Sequence, residues 1–249
     1  MAQRGSDEVG FLLVDGYDLL GVSTQLEDDM EAMTQDGTAF GDTWENPVYT
    51  GMKKASLSQQ GFFDDDSGSS NAALSGQEGV SRVLCYGVEG NTIGQTFIGY
   101  SGAMQVDFVR VASRGDLHRA NVTYLGNGVV EEGRIVHEHS AETTASGNTQ
   151  SENIDDGVGN APSTDGGSGY LQVSALTLGG YTNVVIKLED SSDDITYVEL
   201  IAFTAVTAAP AKQRATVAGN VDRYIAASWA FGGAGAGPSV TFLAGFYRA

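Results

Sequence analysis

The chain has 249 residues, 34 of them glycine and 4 proline, with 41 % hydrophobic and 18 % charged residues, enough to bury a core as one large or two small domains and too apolar for wholesale disorder. Thirteen Lys and Arg stand against 32 Asp and Glu, a net charge of −19, which excludes capture of nucleic-acid phosphates by a basic surface. One cysteine, Cys85, excludes an internal disulfide framework, and with only three histidines it cannot complete a four-ligand zinc site.

Residues 1–10 are polar, and no apolar run approaches the ~20 residues of a membrane-spanning helix, so neither a signal peptide nor membrane insertion is expected. From residue 11 to residue 138 apolar residues come in short bursts separated by Gly, Asp, Asn or Ser, the punctuation of strands and turns. Asp64-Asp65-Asp66 ahead of Asn71-Ala72-Ala73-Leu74 predicts the one departure, a capped helix of about two turns reaching toward Gly79 and Val80. Cys85, between Val83-Leu84 and Tyr86, reads as a small buried apolar residue. The segments 104–111 and 134–138 alternate well enough to predict strands.

Between residues 140 and 169 the apolar signal collapses into Thr, Ser, Gly and Asn, which predicts a linker or a long exposed loop. Beyond it lies a second β series with a two-residue period. Val221, Ile225, Trp229 and Phe231 share one predicted face and Asp222, Tyr224 and Ser228 the other; Val240, Phe242, Ala244 and Phe246 repeat the pattern. The expected fold class is all-β with one short helix.

Signatures of catalysis are missing from the sequence: it has no Gly-x-Ser-x-Gly, no Walker loop and no His-Glu-x-x-His. We therefore expect no catalytic residue, cofactor or metal site. Asp64, Asp65 and Asp66 fail the calcium-loop template because the glycine and the closing glutamate are misplaced. His137 and His139 read as exposed residues near a strand end, and Arg114-Gly115-Asp116 as a turn. Tyr224 and Tyr247 fall on outward faces and are candidate exterior glycan contacts. The first 150 residues carry 8 basic and 22 acidic residues and a net charge of −14.

Val14-Asp15-Gly16-Tyr17-Asp18-Leu19, then Gly51-Met52-Lys53-Lys54-Ala55-Ser56-Leu57-Ser58, then Gln60-Gly61-Phe62-Phe63-Asp64 resemble the opening of the major tail tube proteins of long, non-contractile-tailed bacteriophages. The second half, with Tyr170-Leu171-Gln172-Val173, Val185-Ile186-Lys187-Leu188 and Val221-Asp222-Arg223-Tyr224-Ile225, is similar to the appended β module of two-domain members. The resemblance implies a tail-tube β-sandwich or barrel domain at 1–145, a linker at 146–168 and a smaller β-sandwich at 169–249 on the tube exterior. It further implies homohexameric rings, whose joined strands leave no bare edges, stacked into a tube through a long loop at 21–50 with Phe40, Trp44 and Tyr49 as anchors. The acidic lumen would hold a tape measure protein and pass DNA on ejection without binding it. Tail terminator and distal tail proteins are the other implied partners, and the implied location is the virion tail after assembly in the host cytoplasm. The alternatives are a capsid decoration or carbohydrate-binding adhesion protein, suggested by Tyr224 and Tyr247, and a hydrolase, suggested only by the abundant carboxylates.

Overall fold

A computed structural model describes residues 9–38, 43–44, 46–66, 68–155 and 163–249. In chain order the strands are β1 (Leu12–Val14), β2 (Tyr17–Asp18), β3 (Ser23–Asp36), β4 (Pro47–Phe62), β5 (Ser81–Gly87), β6 (Thr96–Val111), β7 (Arg119–Gly126) and β8 (Val130–Glu142), with helix α1 (Ser70–Leu74) between β4 and β5. There follow β9 (Ser146–Asn148), β10 (Ile154–Asp155), β11 (Gly167–Thr177), β12 (Asn183–Ser191), β13 (Val198–Ala202), β14 (Ala211–Val217), β15 (Tyr224–Gly232) and β16 (Ser239–Arg248). Among the described residues the fold is all-β with one short α-helix, as glycine-rich punctuation and scarce proline imply. That helix is shorter than expected. The Ser69 hydroxyl donates to the carbonyls of Asp64 and Asp66 instead of capping, and Ser75 is already extended, so the acidic run forms a turn.

Contacts group the chain into two units, residues 1–21, 82–101 and 131–249 in the first, and 22–81 and 102–130 in the second. This interleaved grouping differs from the sequential division expected at 1–145 and 169–249. The reason lies in strand pairing. In the first unit β16 lies between β11 and β8, with Phe242 opposite Ser140 and Phe246 opposite Arg134, so the end of the chain completes a sheet begun by its first half. Residues 146–155, expected in the linker, also pair: β9 and β10 both add to β15, and Ile154 is buried.

The first unit is a sandwich. One sheet runs β14-β11-β16-β8-β6-β5-β1-β2 and the other β10-β15-β12-β13 with β9 also on β15. Between them lie Val136, Leu171, Val173, Ile186, Leu188, Ile225, Trp229, Phe231, Val240, Phe242, Ala244 and Phe246. The two faces that alternation predicts for 221–231 and 240–246 are thus the core faces. A second cluster, with Phe11, Leu13, Cys85, Phe97, Ile135, Tyr170 and Leu243, fills the other side of the first sheet, which curls until its ends meet. The turn between β1 and β2 closes the curl. Asp15 accepts from Val83 N at 2.8 Å and pairs with Arg82 and Lys212, while Gly16 donates to the Gln172 side chain. Gly16 has φ +86°, and a Cβ there would come 2.6 Å from the Val173 carbonyl oxygen, so only glycine fits the seam. Cys85 is fully buried within this cluster, and burial pushes its thiol up to about 12.

One charged group is held inside the same curl. Glu131 on β8 accepts from Arg214 Nη2 at 2.7 Å and Nε at 3.1 Å, from Ser168 Oγ at 3.0 Å and from the Tyr170 hydroxyl. Both carboxylate oxygens are satisfied, which buried charge requires.

Candidate assembly surface

The second unit is a four-stranded sheet in the order β3-β4-β7-β6. Its cross-strand partners sort into two faces. On one face Leu57 is flanked by Asp28 and Tyr124, and Gln59 by Leu26 and Val122; Gln105 pairs with Tyr124 and donates to the Leu74 carbonyl of α1 at 2.7 Å. Leu57, Gln59, Val122, Tyr124 and Gln105 are buried there. On the other face stand the rows Glu27-Ser58-Thr123-Asp107, Gln25-Gln60-Asn121-Val109 and Asp29-Ser56-Leu125, followed by Glu31 opposite Lys54. The acidic run 27–31 alternates along β3, and Glu27, Asp29 and Glu31 project with Asp107 from a polar, open face.

Residues 21–50, expected as a long loop, are mostly strand. β3 and β4 pair from Ser23 with Gly61 out to Asp36 with Pro47, whereas β7 covers β4 only at residues 56–62. Past the Asp29–Ser56 pair the two strands continue alone as an arm of six residue pairs interrupted by one register shift, seven residues of β3 from Met30 to Asp36, or ~24 Å at ~3.4 Å per residue. Every described residue from Met30 to Lys54 is exposed. The register shifts between Ala32 and Thr34, where Gly51 adopts φ +84° and the Thr50 hydroxyl donates to Met33 O at 2.9 Å. Trp44 is 85 % exposed and Tyr49 51 %, and Met30, Met33, Val48 and Met52 are also exposed. Phe40 lies outside the described residues. A lone two-stranded ribbon is marginally stable in water, and among the described strands β3 pairs with β4 alone, so its outer side is a sheet edge. Both features ask for a partner strand or surface.

The remaining candidates are placed as follows. Tyr224 opens β15 with the Arg223 guanidinium 4.8 Å from its ring centroid, and Tyr247 lies on β16 opposite Ser168; the two tyrosines belong to different sheets. Asp64, Asp65 and Asp66 gather their carboxylates at the surface, with Asp64 accepting from Asp66 N. Gly115 turns the chain between β6 and β7. No helix among the described residues is long and apolar enough to cross a membrane.

His137 corrects the expectation of two exposed histidines. It is 2 % exposed, stacked on Phe242 at 3.9 Å and edge-on to Trp229, because register shifts between β16 and β8 around Phe242 and Ala244 carry it into the sandwich. His139 sits 2.8 Å from Ser174 Oγ and 3.7 Å from Asp18. Burial lowers the pKa of both rings, opposed at His137 by the Glu138 carbonyl and Glu142 and at His139 by Asp18. The folded state thus binds fewer protons than the unfolded state, whose histidines titrate near 6.5. Their contribution to stability is present above that pH and is lost as pH falls below it. Urea unfolding at pH 7.5 and 5.5 is expected to show a smaller acid loss for His137→Gln than for the parent chain; equal losses would refute the assignment.

No family model matches the sequence, and no curated protein does. Among solved structures, a chain of the virion of a native gene transfer agent particle is similar at 12 % identity and TM-score 0.42, over 52 % of this chain and 98 % of that one. A chain from the tail of an empty gene transfer agent particle with C6 symmetry gives 18 % and 0.39, over 52 % and 97 %. The Dit hub protein of phage SPP1 gives 10 % and 0.32, over 96 % and 99 %. At these scores the likenesses decide neither family nor function.

Proposed function

We propose that the chain is a non-enzymatic structural subunit of a bacteriophage tail, polymerising as stacked hexameric rings into the tail tube. The observation that carries the reading is the β3-β4-β7-β6 sheet, which combines an open acidic face, an outer edge that no described strand covers and an arm with no core of its own. Pairing that edge with an adjoining copy removes the liability of an edge strand, and a heterologous contact of this kind forms a ring when the rotation between successive copies closes. Glu27, Asp29, Glu31 and Asp107 then line the bore, where like charge keeps DNA phosphates from adhering during ejection and a tape measure protein fills the space before it. The arm reaches the next ring with Trp44, Tyr49 and Met52 as apolar anchors, against a groove at its own base bordered by Met30, Ala55, Val129 and Val130. The order and spacing of the tail-tube-like segments in the sequence support the same reading. Electron microscopy of the purified chain at high concentration is the test: stacked sixfold rings around a channel are expected, and dispersed monomers or an assembly without a bore would overturn it.

A further inference from the structure

Three strands far apart in sequence bring a hydroxyl, an imidazole and a carboxylate into line where the first sheet closes on itself. Ser174 lies on β11 and His139 on β8, the strands on either side of β16. Asp18 lies on β2, which the curl carries round to β11, where Gly16 donates to the Gln172 side chain. Ser174 Oγ is 2.8 Å from His139 Nε2, and His139 Nδ1 is 3.7 Å from Asp18 Oδ2. All three residues belong to the first unit, and assembly through the second unit's sheet makes no use of them.

Each member is held by its own partners. The His139 N–H donates to Asn91 Oδ1 at 2.7 Å, and Asn91 Nδ2 donates to the His139 carbonyl at 3.0 Å, so one side chain fixes the backbone that carries the ring. Asp18 Oδ1 accepts from Leu20 N at 3.0 Å, which leaves Oδ2 toward the imidazole. Ser174 sits where β11 shifts register against β16, between Val173 and Ala175, and a bulge of this kind re-aims a side chain. Its hydroxyl has Nε2 as the nearer acceptor and the Thr241 carbonyl as the farther one, at 3.4 Å. Burial keeps the ring unprotonated at neutral pH against the pull of Asp18. Nε2 then offers its lone pair to the hydroxyl while Nδ1–H faces the carboxylate. Ser174 and His139 are partly exposed and the Asp18 side chain is 43 % exposed, so the group opens to solvent.

A hydroxyl, a base and an orienting carboxylate in this order activate a serine as a nucleophile. We propose that Ser174 is an acyl acceptor, taking the acyl group of a small neutral ester with His139 as the base and Asp18 as the residue that positions the ring. Oγ bonds to the acyl carbon as its proton passes to Nε2. The acyl carbon–oxygen bond of the donor then breaks, and the proton moves from Nε2 to the departing alcohol oxygen. A neutral donor is the class these surroundings admit, because Asp18 at the site and a net charge of −19 oppose an anionic phosphoryl donor. The product is a serine ester on the chain, a modification rather than a turnover, and it does not depend on assembly.

Incubating the full chain with p-nitrophenyl acetate at pH 7.5 and locating the acetyl groups by fragment mass spectrometry tests this. Ser174 is expected to be acetylated at least ~100-fold faster in the parent chain than in His139→Gln, the lower bound of what a positioned general base supplies. In urea the Ser174 label is expected to vanish while labelling of lysines persists. Asp18→Asn keeps the bond from Leu20 through its amide oxygen. Because Asp18 is largely in water, this variant is expected to slow acetylation only about threefold with an unchanged thermal midpoint, whereas a merely structural carboxylate would leave the rate alone. If His139→Gln fails to fold, Asp18→Asn and the urea comparison decide. No acetyl group on Ser174 in the folded chain, an equal yield in urea, or an unchanged rate in either folded variant would overturn the proposal.

Discussion

Glu131→Ala is expected to lower the stability of the first unit by about 3–5 kcal/mol, the usual consequence of removing one partner of a buried ion pair. The carboxylate collects two donors from Arg214 and one each from Ser168 and Tyr170. Its loss strands a guanidinium that is largely out of water beside an aromatic ring 5.6 Å away. The effect comes from the uncompensated cation rather than from any net value of the pair. Glu131→Met combined with Arg214→Met should therefore recover most of the loss. Chemical denaturation of the three chains checks this; a double variant as unstable as Glu131→Ala would refute the cause assigned.

Excising residues 30–55 and joining Asp29 to Ser56 through Asn-Gly is expected to abolish polymerisation while leaving a cooperatively folded protein. Asp29 and Ser56 are cross-strand partners, so a two-residue turn can close the shortened hairpin. Every described residue removed is exposed apart from Ala55, which is half-buried, and the strand over which β7 lies begins at Ser56. The change in thermal midpoint should be within a few degrees, and sedimentation should show a monomer or an isolated ring instead of tubes. Tubes of normal length from this variant would remove the arm from any role between rings.

Much of the fold was legible because burying one face of a strand imprints a two-residue period. Val221, Ile225, Trp229 and Phe231, like Val240, Phe242, Ala244 and Phe246, reach the core on the faces their spacing indicates. The arm left no such imprint. A ribbon open to water on both sides has no inside, so residues 30–36 and 47–54 carry no two-residue apolar period and fall within the loop expected at 21–50, although they belong to strands of 14 and 16 residues. The same limit hid residues 146–155, where polar side chains at a sheet edge satisfy the backbone while contributing little apolar surface. His137 illustrates another limit, since its burial depends on register shifts between β8 and β16, strands far apart in sequence. Arg82, Gln105, Gln172 and Glu131 are buried polar residues whose partners lie far along the chain, and composition cannot reveal such pairings.

The place of β16 between β11 and β8 has a bearing on when this protein can form at all. That strand emerges from the ribosome after both of its neighbours, yet it supplies Val240, Phe242, Ala244 and Phe246 to the sandwich interior, pairing with residues roughly a hundred positions upstream, a slow, non-local closure. A chain cut short of this strand is expected to leave β8 and β11 without their shared neighbour and the sandwich interior open to water. On the proposed function, a copy is expected to become able to assemble only once Ser239–Arg248 has been made.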